Sequence, residues 1–256
     1  MTAGASGRGR KRRVRIDTLL VDRGLAESRS RAQALIMAGL VYAGEQRIDK
    51  AGQSVAEDVP IEVRGREHPW VSRGGVKLAH ALEHFSIAVD GKTCLDVGAS
   101  TGGFTDVLLQ HGAAHVFAVD VGHGQLAWKL RNDPRVTVLE RTNARHLSCT
   151  QVPDPVEVIT CDASFIGLQT VLPAPLALAA PGACVIALIK PQFEVGRENV
   201  GKGGVVRDPD LHRQVCERIR HWFETLPGWH VVGLVESPLR GPEGNVEFLI
   251  VAERDA

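Results

Sequence analysis

The stretch Leu95-Asp96-Val97-Gly98-Ala99-Ser100-Thr101-Gly102-Gly103-Phe104-Thr105 decides the fold of this chain. Cys94, Leu95 and Val97 make the short apolar run of a buried strand, and Phe104, Val107, Leu108 and Leu109 then recur at helical spacing. Only small residues lie between them, so the order is strand, glycine turn, helix. Such a turn lets a ligand approach the backbone and meet the positive N-terminus of a helix, which is how open parallel sheets hold adenosine-bearing cofactors. Gly98, Gly102 and Gly103 do not make the G-x-G-x-x-G spacing of dinucleotide sites, and an acid, Asp96, sits within the strand end. The combination favours S-adenosylmethionine over NAD. Taken alone, the stretch also reads as a tight turn of any α/β protein.

The residues downstream repeat the theme. Val116-Phe117-Ala118-Val119-Asp120 is a second apolar run, ending in an acid about twenty residues past the turn, where a carboxylate receives the hydroxyls of a cofactor ribose. Val136 to Leu139 is a third, followed by the polar turn Arg141-Thr142-Asn143-Ala144-Arg145, placed to border an adenine. Val156 to Asp162 and Ala183 to Pro191 are the fourth and fifth, carrying Asp162 and Lys190 at their ends. Ligands of an open α/β sheet lie beyond the carboxyl ends of its strands, so Asp96, Asp120, Asp162 and Lys190 are expected in one crevice. An amphipathic helix over 210–226 follows. Two strands, His230 to Glu236 and Val246 to Val251, then form an antiparallel hairpin with Glu247 at the start of the second.

Upstream, Ser72-Arg73-Gly74-Gly75-Val76-Lys77-Leu78 opens a helix continued by Leu82 and Phe85. Lys77 lies between its apolar residues, so it either snorkels to the surface or serves the site. Between Glu194 and Pro209 a glycine-rich loop with Arg197, Lys202 and Arg207 is a candidate substrate clamp that orders on binding.

The chain has 256 residues and no formal net charge, but the charge is unevenly spread: residues 1 to 80 hold 15 Lys/Arg against 9 Asp/Glu, and the remainder is acidic. A basic head on an acidic body points to an anionic polymer as partner. The five cysteines, 94, 149, 161, 184 and 216, include no C-x-x-C pair and read as buried small hydrophobes in a reducing compartment. No stretch approaches the ~20 apolar residues of a membrane span, and the basic start has no signal-peptide core behind it, so a cytoplasmic protein is expected.

The expected organisation is a basic disordered tail over 1–13, a small α+β domain over 14–63, a linker over 64–70 and the α/β domain over 71–256. In the head, Ile16, Leu19, Leu20 and Leu25 form one helix and Ala32, Leu35, Ile36 and Met37 a second, capped by Ser28, before short strands at Leu40 to Ala43 and Val59 to Val63. Arg23, Arg29 and Arg31 cluster about the second helix, where guanidinium groups meet phosphates. Ile16-Asp17-Thr18-Leu19-Leu20-Val21-Asp22-Arg23-Gly24-Leu25, Ser28-Arg29-Ser30-Arg31-Ala32 and Gly39-Leu40-Val41 resemble the S4-like RNA-binding domain. That module grips structured RNA by shape and phosphate.

The body shows a second resemblance. The motifs at Ser72 to Leu78, Asp96 to Phe104, Asp162-Ala163-Ser164-Phe165-Ile166, Lys190-Pro191-Gln192-Phe193-Glu194 and Gly244-Asn245-Val246-Glu247-Phe248, in that order, resemble the TlyA family of haemolysin-named rRNA 2′-O-methyltransferases, whose catalytic domain is of the FtsJ type. The resemblance implies a Rossmann-like class I methyltransferase sheet, mostly parallel with an antiparallel C-terminal hairpin, behind the S4-like domain. It implies S-adenosylmethionine as cofactor and Lys77, Asp162, Lys190 and Glu247 as a catalytic tetrad. Lys190 is the candidate base, because a second cation and desolvation favour its neutral form while Asp162 opposes that and directs it. Asp96, Gly98, Ala99, Ser100, Thr101, Gly102, Phe104, Asp120, Asn143, Ala144 and Asp162 would hold the cofactor. Arg13, Arg15, Arg23, Arg29, Arg31, Arg73 and Arg145 would contact RNA; no metal is called for. The implied substrate is a cytidine ribose in 16S and/or 23S rRNA of the 30S and/or 50S subunits, with sensitivity to capreomycin-type antibiotics as a consequence and a monomer as the working unit. Two other classes stay open: a non-enzymatic ribosome assembly factor, and a pore-forming haemolysin.

Overall fold

The computed structural model describes residues 12–26, 28–37, 39–63 and 68–256. Most of the expected basic tail, Glu27, and residues 64–67 of the expected linker lie outside these. The chain divides into two compact units, Met1–Pro69 and Trp70–Ala256.

The first unit runs β1 (Arg13–Arg15), α1 (Ile16–Asp22), α2 (Arg29–Met37), β2 (Val41–Ala43), β3 (Gln46–Arg47), β4 (Ser54–Ala56) and β5 (Ile61–Val63). Of the apolar positions read as helical, Ile16, Leu20, Ala32 and Ile36 are buried together with Val41 and Ile48, whereas Leu25 lies past the end of α1 and Met37, the last residue of α2, is 84% exposed. The Ser28 hydroxyl accepts the Arg31 N–H at 3.2 Å, the expected cap. β2 is the centre of a three-stranded antiparallel sheet with β3 and β5, and β1 pairs with β4. Strands of two or three residues are too short to show a period, so β1, β3 and β4 had no sequence signal.

The second unit runs α3 (Gly74–His84), β6 (Thr93–Val97), α4 (Gly103–Gln110), β7 (His115–Val119), α5 (Trp128–Arg131), β8 (Val136–Leu139), β9 (Val156–Cys161), α6 (Leu168–Val171), α7 (Pro173–Ala177), β10 (Ala179–Ile189), α8 (Pro191–Glu194), α9 (Pro209–Thr225), β11 (Trp229–Glu236) and β12 (Phe248–Arg254). They build a seven-stranded sheet in the order β11-β12-β10-β9-β6-β7-β8. β8 to β10 are parallel through β7, β6 and β9, and β12 is antiparallel to both its neighbours. From β6 the chain moves outward one way through β7 and β8, then returns to the other side at β9. The boundary of β6 and β9 is therefore the switch point, where such sheets open a crevice.

Alternation along the strands divides the core. Leu95, Val97, Phe117, Val119, Ile159, Val185 and Ile189 face Leu172, Ile219 and Phe223 of the helical layer over 168–225. Cys94, Val116, Ala118, Val158, Ile186 and Leu188 face Leu78 and Leu82 of α3 and Phe104, Val107 and Leu108 of α4. Each fully buried side chain of this size contributes about 1.5–3 kcal/mol. β10 begins at Ala179, before the expected Ala183, because the strand continues irregularly through Pro181-Gly182, with its register shifting between Ala179 and Cys184. Cys94, Cys161, Cys184 and Cys216 are buried as expected, and burial pushes each thiol up to about 12. Cys149 is exposed, a correction: it lies in the turn after Leu147 and outside any strand.

Candidate active site

Four expected site residues come from four elements. Lys77 is on α3, Asp162 follows β9, Lys190 follows β10 and Glu247 precedes β12. Because β12 runs against β10 with Ile189 opposite Phe248, the start of one strand lies beside the end of the other. This reversal brings Glu247 to the same sheet end as Lys190. Lys77, Asp162, Lys190 and Glu247 line one pocket of about 300 Å³, together with Ser72, Arg73, Gly98 to Thr101, Phe104 and Ser164.

The charges are paired within it. Lys77 Nζ donates to Glu247 Oε2 at 2.5 Å, and both side chains are almost sealed from solvent. Lys190 Nζ lies 2.6 Å from Asp162 Oδ1 as an ion pair, while its directed hydrogen bonds go to Ser164 Oγ at 2.9 Å and the Asp162 carbonyl at 3.3 Å. Asp162 Oδ1 is thereby left without a directed donor among the described residues. Ser164 was not singled out by the sequence, although it lies within the Asp162 to Ile166 motif.

The neighbouring cavity, about 670 Å³, shares Gly98, Ser100, Asp162 and Ser164 with that pocket and extends over Val119, Asp120, Val121, Asn143, Ala144 and Arg145. Its floor is set by backbone geometry. Gly98 has φ +82°, and a Cβ there would lie 3.0 Å from Ala163 N, across the switch point. Gly98 N–H and Ala99 N–H donate to Val119 O, and Asp162 N–H to Val97 O. Asp120 accepts Ser100 N–H at 2.8 Å and Gly122 N–H at 2.7 Å, one on each oxygen. A carboxylate has about four acceptor positions, which leaves Asp120 able to take two ribose hydroxyls. Asn143 Oδ1 caps the turn at Arg145 N. Apolar walls, one strand-end acid and an under-satisfied carboxylate fit an adenosine-bearing sulfonium cofactor.

Two members of the expected cofactor set stand elsewhere. Asp96 is fully buried: its oxygens accept the hydroxyls of Thr105 at 2.7 Å and Thr160 at 3.1 Å, so it ties β6, β9 and α4 together beneath the turn. Burial pushes its carboxyl up to about 6, against the opposing hydroxyl bonds. Gly102, at φ +93°, is in neither cavity wall, and a Cβ added there would run into Leu126 and Leu130.

The glycine-rich loop, expected to order on binding, is already tied down. Buried Asn245 accepts Val206 N–H on Oδ1 and donates from Nδ2 to Gly204 O, both at 2.9 Å. Phe165 was not foreseen as a surface feature; it is 90% exposed, with a left-handed φ of 65°.

Among the expected RNA contacts, Arg73 and Arg145 are exposed on the walls of the two cavities. In the first unit the arginines are less free than their sequence implies. Arg15 and Arg29 both pair with Asp17, at 2.7 and 3.1 Å, and Asp17 is fully buried. Arg23 donates to the carbonyls of Val59 and Glu57, and Arg13 to that of Ser54. Arg31 is exposed, and its side chain makes no bond to the described residues.

Comparison with known proteins finds a match for each of the two units. A family model described as FtsJ-like methyltransferase matches residues 70–254, and the S4 domain model matches residues 14–60. The 16S/23S rRNA (cytidine-2′-O)-methyltransferase TlyA of Mycobacterium tuberculosis is 52% identical over 240 residues, covering 93% of this chain and 89% of that protein. Hemolysin A of Brachyspira hyodysenteriae is 40% identical over 237 residues, covering 92% and 98%. The solved structure of a hemolysin-named protein from Streptococcus thermophilus superposes with a TM-score of 0.74 at 41% identity, covering 96% of this chain and 90% of that one.

Proposed function

This chain belongs to the TlyA family, S-adenosylmethionine-dependent methyltransferases that join an S4 domain to an FtsJ-like domain, and from that premise we propose that it methylates cytidine ribose 2′-hydroxyls in 16S and/or 23S rRNA of ribosomal subunits. The observation that carries the reading is the meeting of Lys77, Asp162, Lys190 and Glu247 in one pocket that shares the walls Gly98, Ser100, Asp162 and Ser164 with the Asp120 cavity. When bound, S-adenosylmethionine supplies a methyl group on a positively charged sulfur.

The chain's residues do the rest. A 2′-hydroxyl is a poor nucleophile, so the site must align it with the methyl group and take its proton. Lys190 is the acceptor in this reading, as the neutral amine left once its ammonium has released a proton to solvent. Asp162 and Ser164 aim its Nζ. Lys77 is held by Glu247 and serves as a fixed positive charge beside the reacting oxygen. Asp120 would hold the cofactor ribose, Asn143 and Ala144 would border its adenine, and Gly98 would let it lie on the backbone. Arg73 and Arg145 in the second unit, and Arg29 and Arg31 in the first, are exposed cations that would contact phosphate. A monomer is taken as the working unit in this reading. A ribosomal substrate places the enzyme in the cytoplasm. No helix of the described residues is long and apolar enough to cross a membrane.

The test is transfer of labelled methyl from S-adenosylmethionine to isolated 30S subunits, 50S subunits and protein-free rRNA, with Lys190→Ala as control. Label at cytidine 2′-oxygens that vanishes in the variant supports the reading. Cofactor binding without transfer to any of the three overturns it.

A further inference from the structure

The two segments that bear Asp162 and Lys190 run side by side and are joined at two levels, at the same interval along each. Lys190 Nζ donates to Ser164 Oγ at 2.9 Å; four residues further along both segments, Glu194 Oε1 accepts the Leu168 N–H at 2.7 Å. Between these two rungs the rings of Phe193 and Phe165 lie 5.1 Å apart.

Glu194 is a costly residue to place there. Its side chain is 5% exposed, and burial raises its pKa above the usual carboxylate range, against the Leu168 N–H and Arg218. Arg218, reaching from α9, donates from one nitrogen to both Glu194 Oε2 at 3.2 Å and the Glu194 carbonyl at 2.7 Å. Gly167 leaves room for the carboxylate: a Cβ there would sit 3.1 Å from Oε2. One buried carboxylate thus fastens the loop after β9, the turn after β10 and α9. It lies outside the walls of both cavities.

The loop it fastens is strained. Phe165 holds a left-handed φ of 65° between the rungs, a conformation that persists only where its surroundings hold it on both sides. The Lys190–Ser164 bond is one hold and the Glu194–Leu168 bond is the other.

We infer that Glu194 is a positioning residue for methyl transfer, locking the far ends of the two segments so that Asp162 and Lys190 keep their register. This rests on the proposed role of that pair. Loss of the far rung frees the Asp162 loop to slide against Lys190, and misplacement of about 1 Å costs up to ~100-fold in rate.

The experiment compares the full chain with E194A and E194Q, the latter retaining an oxygen for the Leu168 N–H. Two readouts are taken: kcat and KM for methyl transfer to ribosomal RNA, and the rate at which acetic anhydride labels Lys190 and Lys77, followed by mass spectrometry. E194A is expected to lower kcat by ~10-fold or more with KM within ~2-fold, and to speed labelling of Lys190 by about 5-fold while Lys77 keeps its rate. E194Q is expected to regain most of both. Wild-type kcat and wild-type Lys190 labelling in E194A overturn the inference, as does equal acceleration at both lysines, which marks general loosening. If the wild-type chain methylates no RNA, the functional reading falls, and the labelling ratio still decides the role of Glu194.

Discussion

Lys77 and Glu247 are 170 residues apart in the chain and meet as a buried ion pair at 2.5 Å. Removing one member of such a pair leaves the other as an uncompensated charge, at a cost of about 3–5 kcal/mol, whereas an apolar pair of similar volume is often neutral or better. E247A is therefore expected to lose about that much stability in urea melts. The K77M/E247L double variant is expected to regain most of it while staying unable to transfer methyl. A double variant as unstable as E247A would sink the account.

Asp96 gives a pH dependence with a definite sign. Its folded carboxyl, pushed up to about 6 by burial, binds a proton more tightly than in the unfolded chain, where its value is near 3.8. Stability from this group is thus highest below about pH 4, falls as pH rises to about 6, and stays lowered by roughly 2–3 kcal/mol above that. D96N keeps the shape without the charge. The stability of D96N minus that of wild type should increase from pH 4 to pH 7 in thermal melts; a constant difference would show that Asp96 does not titrate in this range.

At Gly98 the added Cβ would meet backbone on the far side of the switch point, 3.0 Å from Ala163 N and 3.1 Å from the Asp162 carbonyl carbon, at a φ that side chains rarely take. G98A should cost about 1–3 kcal/mol and weaken S-adenosylmethionine binding about tenfold or more by calorimetry, since the loop it displaces forms the cavity wall. Wild-type affinity in G98A would mean that the cofactor does not lie against this turn.

The arginines of the first unit should separate into two kinds. Hydrogen bonds from Arg15, then from Arg29 and Gln33, hold the Asp17 carboxyl well below the usual range. The stability this provides is present above about pH 4 and is lost as pH falls below it. R29A is expected to lower both RNA affinity and the melting temperature. R31A should weaken RNA binding alone and reduce the slope of log K against log salt by about 0.7–0.9. Equal effects of the two on melting would remove the distinction.

The parallel strands were readable because burial on both faces makes them nearly continuous apolar runs, and their acids or lysine fall where the run stops. For the same reason Asp120, Asp162 and Lys190 could be located at strand ends. Which way a strand-end acid points was not readable. Asp96 turns inward because Thr105 and Thr160, from two other elements, supply its hydrogen bonds. Asp17 likewise hides among residues of a helical pattern, so Arg15 and Arg29 looked free when each has a partner. Ser164 and Glu194 act through pairings between segments more than twenty residues apart, which no local period reports.

The antiparallel seat of β12 has a consequence for the order in which the protein is made. Lys77 leaves the ribosome long before Glu247, and at ~5–20 residues per second the 170 residues between them take roughly 10–30 s. During that interval the Gly98 turn and the Asp120 strand are already available to fold, yet the lysine lacks its counter-charge. A nascent or prematurely terminated chain could therefore hold cofactor before it could transfer a methyl group, so that chemistry begins only once synthesis of the domain has finished.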